Sequence, residues 1–250
     1  MLKFFSILAS FLIVVGAIGS FLTYSKEINA MDVSKSVAVA KVDSIKISTI
    51  STDVKIIRSN TAKEATVKLT GDAKASQQPN LSVEVKDREL VIETEPSSGN
   101  KWFNVEFNFY SPTMELLVIL PEKYFENLEI DTVSGDVVAS DVEAANSVIS
   151  SVSGDITVDN NVKEISIDTD SGDVALITPR ITDDIDITTL SGDVDIKVAI
   201  EPTDVSFSID TLSGDVNLFD KYAEDAKLGN GSTQVTIETT SGDIEVTSNQ

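Results

Sequence analysis

One tripeptide governs the second half of this chain. Ser-Gly-Asp occurs six times: Ser134-Gly135-Asp136, Ser153-Gly154-Asp155, Ser171-Gly172-Asp173, Ser191-Gly192-Asp193, Ser213-Gly214-Asp215 and Ser241-Gly242-Asp243. The intervals are 19, 18, 20, 22 and 28 residues, and Ser51-Thr52-Asp53 reads as a divergent earlier copy. A period near 20 residues points to a solenoid, in which one repeat cannot bury its apolar face alone and stacks on its neighbours.

The flanks carry the same message. With the motif Ser as zero, position −4 is Ile47, Ile130, Ile149, Ile167, Ile187, Ile209 and Ile237. Position −2 is Thr49, Thr132, Ser151, Thr169, Thr189, Thr211 and Thr239, and position +3 is Val54, Val137, Ile156, Val174, Val194, Val216 and Ile244. Such alternation is strand periodicity in β-branched residues. The apolar positions are even before the motif and odd after it, so the inward face changes parity across Gly-Asp. Two strands therefore meet at a corner there, where Gly permits φ > 0 or a close approach of backbones. Each period is strand, corner, strand and a looser return. Stacking at about 4.7–4.9 Å lines up the inward side chains, each worth about 1.5–3 kcal/mol when fully buried. The inward Thr and Ser near the corner are expected to satisfy buried corner amides, since an orphan costs about 1–3 kcal/mol.

Charge sharpens the picture. Of 250 residues, 19 are Lys or Arg and 41 are Asp or Glu, a net −22. Residues 1–125 sum to zero, with 14 of each sign, while 126–250 hold 5 basic and 27 acidic side chains. A half this acidic has no basic patch for nucleic acid phosphates and is repelled by anionic headgroups. The chain has no Cys and no His. That excludes disulfides, thiolate nucleophiles, Fe–S clusters, imidazole bases and the common zinc sites.

The N-terminal end differs in kind. Phe4 to Leu22 is an uncharged run of 19 residues, close to the ~20 a helix needs to cross the hydrocarbon core. Lys3 and the free amine precede it, so the positive-inside bias puts the N-terminus in the cytoplasm and the rest outside. A cleaved signal peptide is the rival reading. The run exceeds the usual apolar stretch of about 7–15 residues, which favours an uncleaved anchor. The expected organisation is an anchor over 1–23, a stalk over 24–41, an irregular β region and cap over 42–125, and the regular solenoid over 126–250. In the irregular region Thr66 to Asp72 imitates a corner. Leu81 to Val85 and Leu90 to Ile92 flank a polar turn as a hairpin. Met114 to Leu120, apolar on both faces, reads as a covered strand. Lys101 to Tyr110 alternates strictly, with Trp102, Asn104 and Tyr110 on one face.

The coil φ-x-φ-x-Thr-x-Ser-Gly-Asp-φ-x-φ, preceded by a strand ending at Leu120-Pro121, resembles the bacterial "putative adhesin" or toast-rack β-solenoid family over roughly residues 40–250. That resemblance implies an all-β, single-stranded right-handed β-solenoid facing the outside, behind one N-terminal transmembrane helix. It includes membrane-anchored members associated with Lia-type and phage-shock-type envelope stress systems. The expectation is a non-enzymatic, single-pass cell-membrane protein whose extracytoplasmic domain senses or scaffolds by binding an envelope protein or wall component. A surface adhesin, cation-assisted, is the alternative, and a carbohydrate-active enzyme the third reading. Paired carboxylates hydrolyse glycosides, but a catalytic site should be singular and these acids are periodic.

Three features are candidate sites. The corner aspartates Asp53, Asp136, Asp155, Asp173, Asp193, Asp215 and Asp243 recur once per coil. Asp commonly accepts hydrogen bonds from its own turn amides; the functional alternative is a ladder for Ca²⁺ or Mg²⁺. Trp102, Asn104 and Tyr110 offer a face for a sugar or a partner, or cap the solenoid end. Val246 is followed only by Thr247 to Gln250, so an exposed C-terminal edge open to self-association is expected.

Overall fold

The computed structural model describes residues 28–74, 79–95, 114–159 and 163–249. Within them the chain is all β: twenty strands in two ten-stranded sheets, with no helix. The Phe4 to Leu22 run lies outside them, and among the described residues no helix is long and apolar enough to cross a membrane.

Strand β1 (Ile28–Val37) comes first. The first coil is β2 (Ser44–Ser48) and β3 (Asp53–Ser59). Then follow β4 (Ala65–Lys74), β5 (Asn80–Lys86), β6 (Glu89–Glu95) and β7 (Met114–Pro121). The regular coils pair β8 (Tyr124–Asp131) with β9 (Val137–Ser140), β10 (Glu143–Ser153) with β11 (Ile156–Asp159), β12 (Glu164–Ser171) with β13 (Val174–Thr178), and β14 (Ile185–Ser191) with β15 (Val194–Val198). Last come β16 (Val205–Thr211), β17 (Val216–Leu218), β18 (Lys227–Leu228), β19 (Thr233–Ser241) and β20 (Ile244–Ser248).

Strands before the corner form a leading sheet, ordered β18-β16-β19-β14-β12-β10-β8-β2-β6-β5. Strands after it form a trailing sheet, ordered β1-β4-β7-β3-β9-β11-β13-β15-β20-β17. Coils stack in parallel and in register, so that Ile167 faces Ile149 on one side and Ile187 on the other. The parity change is as the repeat requires: Ile165, Ile167 and Thr169 are buried before the corner, Val174, Leu176 and Thr178 after it. Both sheets close on one apolar core that runs the length of the stack.

Spatial order departs from chain order. The final coil, β19 and β20, is wedged between β14–β15 and β16–β17. The 28-residue interval is the cause. After β17 the chain turns at Phe219 and Asp220, both at positive φ, and covers the outer edge of β16, where Ala226 and Glu224 carbonyls accept from the Phe207 and Ile209 amides at 2.9 and 3.1 Å. Phe219 packs edge-on to Phe207 and Tyr222. The chain then doubles back to insert β19. The C-terminal strand β20 therefore has a partner on each side and is not the expected open edge.

The other end is built by the irregular region. β6 pairs in parallel with β2, and β7 with β3. Leu90, Ile92 and Thr94 occupy the places of Ile45, Ile47 and Thr49, and Leu116 that of Val54. This is a coil in disguise: Thr94 and Glu115 lie 21 residues apart where Thr49 and Asp53 lie four apart. The expected β5–β6 hairpin is present, with Asp87 and Arg88 at φ 48° and 71°, the left-handed pair of a tight hairpin turn. Three other expectations are corrected. Thr66 to Asp72 makes no corner, because Gly71 is paired on both sides within the straight strand β4. Ile28–Val37 is not stalk but strand, its Met31, Val33 and Val37 packed against the core. In β7 only Met114, Leu116, Val118 and Leu120 are fully buried, while Leu117 and Ile119 are half-buried.

Candidate binding surface

The corner column is set by backbone contact. A methyl added at Gly154 would overlap the Gly135 carbonyl, one at Gly172 that of Gly154, and one at Gly192 that of Gly172. Gly154, Gly172 and Gly242 also have positive φ, but Gly135, Gly192 and Gly214 do not. Close approach, not φ, is the requirement all six share. Thr52 is tolerated in the first coil because the coil beyond it, β6–β7, has no tight corner.

The aspartates stitch coil to coil. Asp53 Oδ1 accepts from the Asp136 amide at 3.1 Å, Asp136 from Asp155 at 3.0 Å, Asp155 from Asp173 at 3.0 Å and Asp173 from Asp193 at 2.9 Å. Asp193 then accepts from Asp243, and Asp243 from Asp215, each at 2.8 Å. The acceptor role holds, but the donor is the next coil's amide rather than the residue's own turn. In return the Asp carbonyl accepts from the +3 amide of the coil before, as Val174 N–H donates to Asp193 at 2.8 Å. With the amides satisfied this way, the inward hydroxyls are left to donate: Thr49 to Thr132 at 3.0 Å, Thr211 to the Gly242 carbonyl at 3.2 Å. Ser151, Thr189 and Thr239 hydroxyls have no partner. The expectation that this column serves the corner amides is corrected.

Just before the corner, position −1 points outward and is apolar in five coils of seven. In spatial order it reads Ile50, Val133, Val152, Asp170, Leu190, Thr240, Leu212. Ile50, Val133, Val152 and Leu190 are 46% to 56% exposed, and Leu212 is 83% exposed. Backbone bonds stack them directly: Ser134 N–H donates to Ile50 and Ser153 N–H to Val133, both at 2.8 Å. Scattered exposed apolar residues need no account, but an aligned series is an interaction feature. On one flank lies position −3, with Asp131, Asp168, Glu238 and Asp210; on the other, around the corner, the whole Asp column. The even-numbered repeat pattern hides this stripe, and reading the odd outward positions coil by coil exposes it.

The return edge is different. A cleft of about 390 Å³ opens there, lined by Arg180, Ile181, Ile200, Glu201, Pro202 and Asp204, among others. Its carboxylates are committed inward. Glu201 accepts from Lys221 Nζ and the Tyr222 hydroxyl, each at 2.7 Å, which holds its carboxyl below the usual range. Asp204 accepts from Ser232 Oγ at 2.6 Å and the Asn230 amide at 2.7 Å, with the same effect, the hydroxyl foremost.

Of the expected site residues, the seven corner aspartates come together in one column. Among the described residues no group of three or more acidic side chains converges as a metal site. Trp102, Asn104 and Tyr110 lie outside the described residues, on the segment joining β6 to β7.

Known proteins share this arrangement. A crystal structure of a "putative cell adhesion protein" from Clostridium sporogenes is 18% identical, covers 88% of this chain and 100% of its own, and superposes with a TM-score of 0.55, which establishes a common fold. A "putative adhesin" from Bacteroides fragilis is 13% identical over 88% of this chain and 97% of its own, at 0.34. No curated protein matches the chain. The sequence profile of one family matches twice, over residues 42–176 and 125–247, the second match starting where the regular coils start. A profile that fits the same chain in two overlapping registers is what a stack of equivalent coils should give, and by it the chain belongs to the Toastrack DUF4097 family.

Proposed function

We propose that this chain is a non-enzymatic binding module held at the outer face of the cell membrane by its N-terminal segment, where it senses or scaffolds envelope stress by engaging a partner protein. The exposed apolar stripe along the corner edge carries this reading. It repeats with the coils, so it presents one continuous surface rather than a catalytic point, and protein partners are the class of ligand that buries such surfaces.

The test exploits the absence of cysteine. Single Cys substitutions at Val133 and Leu212, on the stripe, and at Lys227, on the return edge, are made in the full chain. Leu212→Cys should react with a membrane-impermeant maleimide in intact cells; protection there, with reaction after lysis, would sink the extracytoplasmic placement. A cross-linker on the two stripe positions should yield protein adducts that the Lys227 position does not. Equal adducts from all three, or none, would remove the stripe as a binding surface.

A further inference from the structure

Resting on that reading, we infer that the stripe takes a basic amphipathic helix from the partner, lying along the solenoid axis. Three observations converge on this occupant. The first is charge. The apolar side chains run between an acidic column at −3 and a continuous one at +2, and one carboxylate oxygen of each laddered Asp is already used by an amide. The other oxygen faces a partner. A second copy of this chain would set carboxylate columns against each other, and an anionic lipid surface would be repelled. A segment with Lys or Arg on both sides of an apolar seam fits both columns.

The second is pitch. The stripe repeats at the coil spacing, about 4.7–4.9 Å. A helix brings a residue to one face every turn, about 5.4 Å, whereas an extended strand does so only every ~6.6–6.8 Å. The helix mismatch of about 0.6 Å per coil sums to about 4 Å over six intervals, within the reach of Leu and Lys side chains. The third is length. From Ile50 to Leu212 the stripe spans about 29 Å, which about 19 helical residues cover. Such a helix is read as apolar anchors at i, i+3, i+4 and i+7.

The probe is a synthetic Leu/Lys peptide of about 19 residues with Leu on one seam and Lys on both flanks, titrated into the full chain by fluorescence anisotropy. The same composition scrambled is the control. The seam peptide should bind at least about tenfold more tightly than the scrambled one. Leu190→Ser with Leu212→Ser should weaken it about tenfold with the melting temperature unchanged. Asp170→Leu, which fills the central gap, should tighten it. Equal binding of the scrambled peptide, or weaker binding to Asp170→Leu, would reduce the effect to charge attraction and overturn the proposal. So would self-association by light scattering that the paired Ser substitutions abolish, since the occupant would then be a second copy. A stripe cross-link that the seam peptide fails to displace would overturn the helix and leave the binding role standing.

Discussion

The two edges of this solenoid are made by the same coils and obey opposite rules. At the corner edge, backbone rests on backbone at Gly, and each Asp ties its coil to the next. Nothing there can lengthen without breaking the column, and among the regular coils nothing does. At the return edge the connections run from a few residues between β9 and β10 to the whole cap between β17 and β19. That edge carries the cleft, the Glu201–Lys221–Tyr222 cluster and the Asp204 loop. Rigidity on one side leaves the other free to vary.

The sharpest way to break this contrast is a methyl at the corner. Gly172→Ala should destabilise by about 3 kcal/mol or more, since backbone must move, whereas Pro202→Ala in the cleft should cost less than about 1 kcal/mol. Urea unfolding of both measures it, and similar midpoints would refute the division. The ladder gives a smaller effect. Asp173→Ala strands the Asp193 amide and should cost about 1 kcal/mol, while Asp215→Ala, at the end of the ladder with no coil beyond, should cost close to nothing by the same titration. Next comes a gain. Thr189→Val removes a buried hydroxyl without a partner and should stabilise by about 1 kcal/mol, where Thr49→Val, which loses the bond to Thr132, should destabilise.

The smallest effect belongs to the return edge and depends on pH. Hydrogen bonds from Lys221 and then Tyr222 depress the Glu201 carboxyl. A depressed folded value contributes stability above the unfolded value, about 4.3, and loses it as pH falls through the lower folded one. Glu201→Gln should therefore lower the melting temperature slightly at neutral pH and leave it nearer to wild type below pH ~4. A constant gap across that range would mean the carboxylate charge is not what matters.

The repeat made the coil legible: strand periods, parity change and corner all follow from residues at fixed distances from Ser-Gly-Asp. Three things escaped it. The β6–β7 coil has its corner expanded between Thr94 and Glu115, so no motif marks it. The coil order is set by where β16 finds a partner, and an interval of 28 residues does not say whether the excess is a loop or a detour. The stripe was hidden because an inward column repeats at nearly every coil, whereas Asp170 and Thr240 interrupt the outward one. The corner aspartates were found at once, but their donors lie 18 to 83 residues away in sequence, beyond any local turn rule.

The wedged final coil also imposes an order on synthesis. Strand β16 meets the stack only through β19, and β17 only through β20. Until residues 233–248 have left the ribosome, the segment from 205 to 228 has no native seat, and the growing chain ends at the open face of β14 and β15. A chain emerging at about 5–20 residues per second exposes that face until its last residues arrive. The C-terminus is thus the keystone: a truncation before Thr233 removes one coil and unseats a second.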